Sequence, residues 1–405
     1  MTRRTALPML LCGLSRRLLA QDWPQFRGPD GQGHSDEKSL PLTWSETENI
    51  RWKVPIPGRG WSSPAILGDR IWLTTAVERG PSLRAICFDR ATGRQQQDVE
   101  LFRVAGGEHL NSKNSFATPT PVLEGENIYL HFGPYGTACI RNSGDLVWKT
   151  RLRYSPEHGP GGSPVLFEDL LIVSCDGQDT QYVVALDKDT GKVRWRTSRA
   201  GYQAYTTPLV IEAAGRTQLI SPGAHRASSY DPRTGKEIWS VRYGDGFSNV
   251  PRPVFGAGLV FICTGFFEPA VMAVRPDGKG DVTNSHVEWT LRRGAPLTPS
   301  PLLVGAELYV VSDNGILTCL NAASGEIWWR ARMNGNFSAS PIAADGRIYF
   351  LNEDGETTVI APGKQIQKLA SNRLEGTTLA SIAVSGGSLF IRTHENLYRV
   401  EQRAS

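Results

Sequence analysis

Residues 163–197 read SPVLFEDLLIVSCDGQDTQYVVALDKDTGKVRWRT, and the fold follows from this stretch. Ser163-Pro164 opens a short apolar run that Glu168-Asp169 ends in a turn. Leu170 to Cys175 is a second run, and a polar loop leads to a third at Tyr182 to Leu186. Asp187 to Gly191 then turns the chain into a fourth run, which carries Trp195. Short β-branched and aromatic runs bounded by turn residues predict an antiparallel four-stranded meander. A sheet this small cannot bury both faces alone, so it must stack on copies of itself.

The copies run through the chain. Ser-Pro or a variant precedes an apolar run at Pro64, Pro121, Pro164, Pro208, Pro253, Pro301 and Pro341, and Ile382 holds the same place in an eighth copy. Proline suits a first strand residue, which can lack a ladder donor. A glycine turn followed four residues later by tryptophan recurs as Gly144/Trp148, Gly191/Trp195, Gly235/Trp239 and Gly325/Trp329, and Trp289 ends a longer version of the loop. Gly93 and Gly363 keep the turn, with Gln97 and Gln367 in place of tryptophan. The eighth copy stops after Leu397 to Val400, and its missing strand stands at the other end of the chain, at 49–54 with Trp52. An N-terminal strand that completes the last sheet closes a ring and removes its open edges. The prediction is an all-β, eight-bladed β-propeller of four-stranded antiparallel blades over residues 49–405. Trp52, Trp148, Trp195, Trp239, Trp289 and Trp329 are expected to be structural.

The pattern Ala185-Leu186-Asp187, Thr190-Gly191 and Trp195 resembles the repeat of PQQ-like (pyrroloquinoline-quinone-type) propellers, over essentially all of residues 23–400. The opening Asp22-Trp23-Pro24-Gln25-Phe26-Arg27-Gly28-Pro29 is similar to that of many bacterial PQQ-like repeat proteins. This family includes quinoprotein alcohol dehydrogenases and a bacterial outer-membrane assembly lipoprotein. The resemblance implies two functions, between which the fold alone does not choose. The first is an exported, non-catalytic scaffold of the cell envelope that binds an envelope protein or a small ligand and needs no cofactor. A polysaccharide or peptide binder is a subcase of it. The alternative is an oxidoreductase of alcohols or sugars using PQQ with calcium, with an aspartate base. The two adjacent cysteines that lid the quinone in such enzymes have no counterpart here.

Composition narrows the partners. The 405 residues carry 44 basic and 40 acidic side chains, and Arg3, Arg4, Arg16 and Arg17 account for the whole excess. A balanced body gives no electrostatic reason to bind nucleic acid. Residues 1–20 read as an export signal, with Arg3-Arg4 before the apolar stretch Ala6 to Leu14 and Ala20 as a cleavage point. The paired arginines suit a twin-arginine route, which places the mature chain in the periplasm or outside the cell. Residues 21–48 form a lead-in whose Trp23 and Phe26 are expected to pin it to the outside of the ring. No segment is long enough to span a bilayer, and a monomer is expected. Cys87, Cys139 and Cys319 fall at the repeat position of Ala185, and Cys175 and Cys263 end second strands, so they read as core filler.

Common catalytic signatures are missing: there is no phosphate loop, GxSxG elbow, HExxH or C-x-x-C-H. Asp187-x-Asp189-x-Gly191 resembles half a calcium loop, but turn capping explains it better. Binding should therefore fall at the channel mouth, where the loops before each Ser-Pro converge. The candidate ligand-binding residues are Arg59, Trp61, Asn114, His158, Tyr205, Asn249, Arg252, Arg293 and Phe337. The arginines would clamp a carboxylate, and Trp61, Tyr205 and Phe337 would stack a planar ligand. Loop residues of these types also cap sheets and line wet channels. Glu108, Glu157 and Asp245 are the carboxylates of these loops, and no metal site or catalytic residue is assigned.

Overall fold

The computed structural model describes residues 22–77, 82–104 and 110–402. The expected export signal at 1–20 and Glu108 lie outside them. Eight antiparallel sheets follow one another along the chain. Blade 1 comprises Ala65–Leu67, Arg70–Val77, Ser82–Asp89 and Gln95–Arg103. Blades 2 to 7 repeat this meander over 122–150, 165–198, 209–242, 254–291, 302–332 and 342–373. Blade 8 is Ala383–Ser385, Ser388–Arg392 and Asn396–Glu401, completed on the outside by Ile50–Pro55, with Trp52 opposite Arg399. The ring is thus closed by the N-terminal strand, as predicted.

The apolar core lies between neighbouring blades. Tyr129 and Trp148 of blade 2, for example, share a buried cluster with Leu171 and Tyr182 of blade 3. Five of the six blade tryptophans dock on the next blade through one device. The indole N–H of Trp52, Trp148, Trp195, Trp289 and Trp329 donates to the carbonyl of Arg90, Lys188, Pro232, Ala322 and Gly363 respectively. Each acceptor sits in the turn before the outer strand of the following blade. In blade 3 that turn is held by Asp187, whose Oδ1 accepts the N–H of Asp189 and Thr190 and the Thr190 hydroxyl. The carboxylate caps the turn, and its Oδ2 accepts from Arg194 at 3.1 Å. Trp239 differs because the long loop of blade 5 lays Gly280–Asp281 alongside it as a fifth strand. Its N–H finds Gln218 Oε1 at 2.7 Å instead.

A second device closes the axis. At the residue before the proline position, in seven of the eight blades, a backbone N–H donates to the hydroxyl of the equivalent residue in the next blade. Ser381 donates to Ser63, Ser63 to Thr120, Thr120 to Ser163, and Ser163 to Thr207. Arg252 donates to Ser300, Ser300 to Ser340, and Ser340 to Ser381. Buried backbone donors need partners, and this ring supplies them without a strand edge. Arg252 alone replaces a hydroxyl, and its guanidinium points down the channel.

The lead-in does not run over the outside of the ring, as the sequence suggested. It crosses the channel beneath the hydroxyl ring. Trp23 is fully buried and bridges Ile66 of blade 1, and the Pro24 carbonyl accepts the Leu123 N–H of blade 2. Arg252 Nη1 donates to the Phe26 carbonyl at 2.7 Å, and Gln32 Oε1 accepts the Phe255 N–H. His34–Ser35 then adds a parallel strand to the inner edge of blade 7, and Glu37 reaches the amides of Gly386 and Gly387 in blade 8. Trp23, Leu40 and Trp44 share one buried cluster with blades 7, 8 and 1. Trp23 loses its whole exposed apolar surface there, and Phe26 is half-buried.

Candidate functional site

Above the lead-in, the axis opens into a cavity of about 840 Å³. This is within the ordinary range for small-molecule sites. Phe26 forms part of its floor, and its lower wall carries the ring hydroxyls of Ser63, Thr120, Ser163, Thr207, Ser340 and Ser381. Loops from several blades build the upper wall. Four of the nine expected residues line it: Trp61, Asn114, His158 and Tyr205. Asn114 Nδ2 donates to the His158 carbonyl at 2.7 Å, and the His158 N–H donates to the Tyr205 hydroxyl at 3.2 Å. These three residues brace one another across blades 2, 3 and 4.

The other five lie elsewhere, for visible reasons. Arg59 donates to the Ser112 carbonyl at 2.8 Å and pairs with Ala76, which holds it beside the wall. Asn249 is buried, with Nδ2 donating to the Tyr243 hydroxyl and the Cys263 carbonyl. Arg252 is buried below the hydroxyl ring against the lead-in, where burial pulls its guanidinium down to about 10. Arg293 is exposed and offers its carbonyl to Arg330. Phe337 is packed between blades 6 and 7. The expected arginine clamp is not assembled.

The upper wall also holds Tyr202 and Phe247, which stand in the loops before Pro208 and Pro253 but outside the nine candidates, and Phe266, which the sequence reading passed over. Phe267 packs against Phe247 and Phe266. Tyr202, Phe247, Phe266 and Phe267 form an aromatic rim, with ring centroids 5.6 Å apart for Tyr202–Phe247 and 5.1 Å for Phe266–Phe267. Phe266 and Phe267 are 52% and 70% exposed. Phe267 has φ +74°, a conformation that a bulky residue rarely adopts. The Phe-Phe pair in a loop flanked by Gly265 and Pro269 was the signal available in the sequence.

The charged groups of the wall are already engaged. Lys113 pairs with Glu353 at 2.7 Å, and Glu157 accepts from Gln178. Asp313 accepts the N–H groups of Leu297 and Thr298 at 2.7 and 3.2 Å. Below the wall, Asp176 is buried in an ion pair with Arg199, Nε to Oδ1 2.8 Å, so it is no free base. Among the described residues no group of three or more His, Cys, Asp or Glu side chains could hold a metal ion. PQQ is a planar quinone carrying carboxylates and would need cations facing the cavity, with calcium held by several oxygen donors. The residues present do not fit that pair. The five described cysteines are free and buried, and burial pushes the thiols of Cys87, Cys139 and Cys319 up to about 12.

Comparisons with known proteins agree with the repeat. A curated relative, outer membrane protein assembly factor BamB of Legionella pneumophila, is 21% identical over 205 residues, 48% of this chain and 50% of that one. The chain spans about half the length of the curated relatives it matches. Among solved structures, BamB from Moraxella catarrhalis superposes with a TM-score of 0.61 at 14% identity, over 86% of this chain and 99% of that one. The quinohemoprotein alcohol dehydrogenase from Comamonas testosteroni superposes with a TM-score of 0.70 at 10% identity, over 95% of this chain and 81% of that one. Identities this low show a shared fold. No helix among the described residues is long and apolar enough to cross a membrane. The family described as outer membrane protein assembly factor BamB matches residues 137–214 and 223–378, more than half of the chain, and the chain belongs to that PQQ-like propeller family.

Proposed function

We propose that this protein is an exported, non-catalytic binding propeller of the cell envelope that engages a partner protein at the aromatic rim of its axial mouth. The observation that carries it is the rim itself: exposed aromatic side chains at a mouth whose lysine is ion-paired and whose acids accept hydrogen bonds from neutral groups. Exposed aromatic clusters mark interaction sites, whereas acid–base catalysis needs an oriented titratable group, and the His158 ring in the wall packs on Tyr205 with no carboxylate bonded to it among the described residues. The name of the curated relatives, outer membrane protein assembly factor, supports an envelope setting and a protein partner. In this reading the ring is a rigid frame, and the lead-in closes its lower end so that binding is confined to the upper face. Its compartment is the periplasm or the exterior, and it works without a cofactor.

Photo-crosslinking tests this. The full chain is expressed with benzoylphenylalanine in place of Phe267 or, as a control, of Val193, which is exposed on the outer strand of blade 3. Adducts with envelope protein are expected from position 267 and not from 193. They should be competed by excess unlabelled chain and not by a Phe247→Ala/Phe267→Ser variant. Adducts at neither position, or only at 193, overturn the reading.

A further inference from the structure

The cavity beneath the rim holds unspent hydrogen-bonding capacity of a particular kind. Trp61 is 8% exposed, lines the cavity, and has an indole N–H without a partner. Gln203 is 3% exposed and lines the cavity from the loop before blade 4, with Oε1 unpartnered, and the Ser248 hydroxyl beside it is unpartnered too. Buried polar groups are ordinarily satisfied, and these three atoms, closed to water in the resting structure, belong to cavity-lining residues whose side chains need only rotate to meet an occupant. Below them, Ser63, Thr120, Ser163, Thr207 and Ser381 each accept one backbone N–H. Among the described residues their hydroxyl protons have no protein acceptor, which leaves them able to donate into the cavity. The wall therefore mixes donors, acceptors and groups that are both.

Charge and shape favour two other simple occupants less. An anion would need a free cation, and Lys113 is held by Glu353. A peptide strand would need an open backbone edge, and the ring bonds occupy the N–H groups at the top of the inner strands. Flat apolar surface is present at Trp61 and at the Tyr202–Phe247 pair. A sugar ring matches this combination: its C–H face lies on an aromatic ring, and its hydroxyls both donate and accept.

We propose that the axial cavity binds a neutral oligosaccharide, stacked against Trp61 and the Tyr202–Phe247 wall and hydrogen-bonded by the Trp61 indole, Gln203, Ser248 and the ring hydroxyls. The proposal rests on the reading of the mouth as a binding site without chemistry, and it gives the protein a second ligand beneath its protein partner. A glycan chain threaded into the floor would be presented at the rim.

The test titrates the full chain with cellotriose, maltotriose and triacetylchitotriose, following heat and tryptophan fluorescence. Saturable binding of at least one is expected, with Kd between about 1 μM and 1 mM. Trp61→Phe keeps a flat ring and removes the N–H, and Gln203→Met keeps the length and removes the acceptor. Each should weaken binding about tenfold or more, with the thermal midpoint of the free protein nearly unchanged. No saturable binding of any of the three sugars at about 10 mM, or binding that both substitutions leave unchanged, overturns the proposal. Retained crosslinks at Phe267 with no sugar binding would sink this inference and leave the protein-binding reading standing. Sugar binding without crosslinks would do the reverse.

Discussion

His131 is fully enclosed in blade 2, with Nδ1 2.8 Å from the Thr137 hydroxyl and Nε2 3.2 Å from the Tyr154 hydroxyl. Burial alone holds its imidazole neutral, down to about 3. The unfolded chain takes up this proton first, so the stability is complete above about pH 6.5 and is lost as pH falls from there toward about 3. The full loss is on the order of 4–5 kcal/mol. His34 acts with the opposite sign. Burial pulls its imidazolium down, but the hydrogen bond and charge of Asp30 outweigh this and raise it, so its contribution is present at low pH and fades as pH rises through its raised pKa. The pair is partly exposed and screened, so its share is the smaller one. The urea midpoint should therefore fall between pH 7 and pH 5. His131→Gln, which can still bond both hydroxyls, should remove most of that fall, and His34→Gln should steepen it. A fall that His131→Gln leaves intact would place the acid sensitivity elsewhere.

At the scale of the blade, the glycine turn does two things that two substitutions separate. Gly215, in the turn between the first two strands of blade 4 and away from any tryptophan, has φ +70°, and a Cβ added there would meet nothing within 4 Å. Gly215→Ala therefore serves as the control that meets only backbone strain, about 1 kcal/mol. Gly191 has the same φ, and a Cβ there would lie 2.5 Å from the Trp148 ring. Gly191→Ala should cost about 3 kcal/mol or more, because the strained turn would also push the indole off its Lys188 carbonyl. Equal losses in urea would mean that the docking contributes nothing beyond the turn. This motif was legible because its spacing is local, although the partner of each tryptophan is the next blade's turn and not its own. The hydroxyl ring had a signal that went unread, since Ser or Thr stands before the inner strand in every copy except at Arg252. The site was legible only in part. Trp61 and Tyr205 reached the cavity, but whether Asn249, Arg252 or Phe337 faces the axis or a neighbouring blade depends on how each loop turns. Residue type and spacing do not encode that. Nor did spacing place Phe26 in the floor, because its position depends on contacts with blades more than 200 residues away.

For the whole molecule, the lead-in joins blades that are not neighbours. Trp23 is buried against blade 1, while ten residues later the Gly33 carbonyl accepts the Ala343 N–H of blade 7. Between these points Arg27 and Arg252 are buried close together. Burial, and for Arg27 the neighbouring Arg252 charge, lowers both guanidinium groups, and Asp30 partly offsets the repulsion. A segment held by such contacts stays down only while both ends are anchored, because the arginines gain by returning to water. Trp23→Ala should cost about 3–5 kcal/mol through the cavity it leaves. If the ends are coupled, it should also speed amide exchange at Ala343, across the channel. Trp148→Ala, a comparable truncation outside the lead-in, should destabilise the ring without selectively exposing that amide below the global unfolding limit. A faster Ala343 amide in the Trp23 variant alone identifies the lead-in as one cooperative floor. The same protection in both variants would mean that blade 7 holds its end independently, and that the floor of the cavity can open from one side while the ring stays shut.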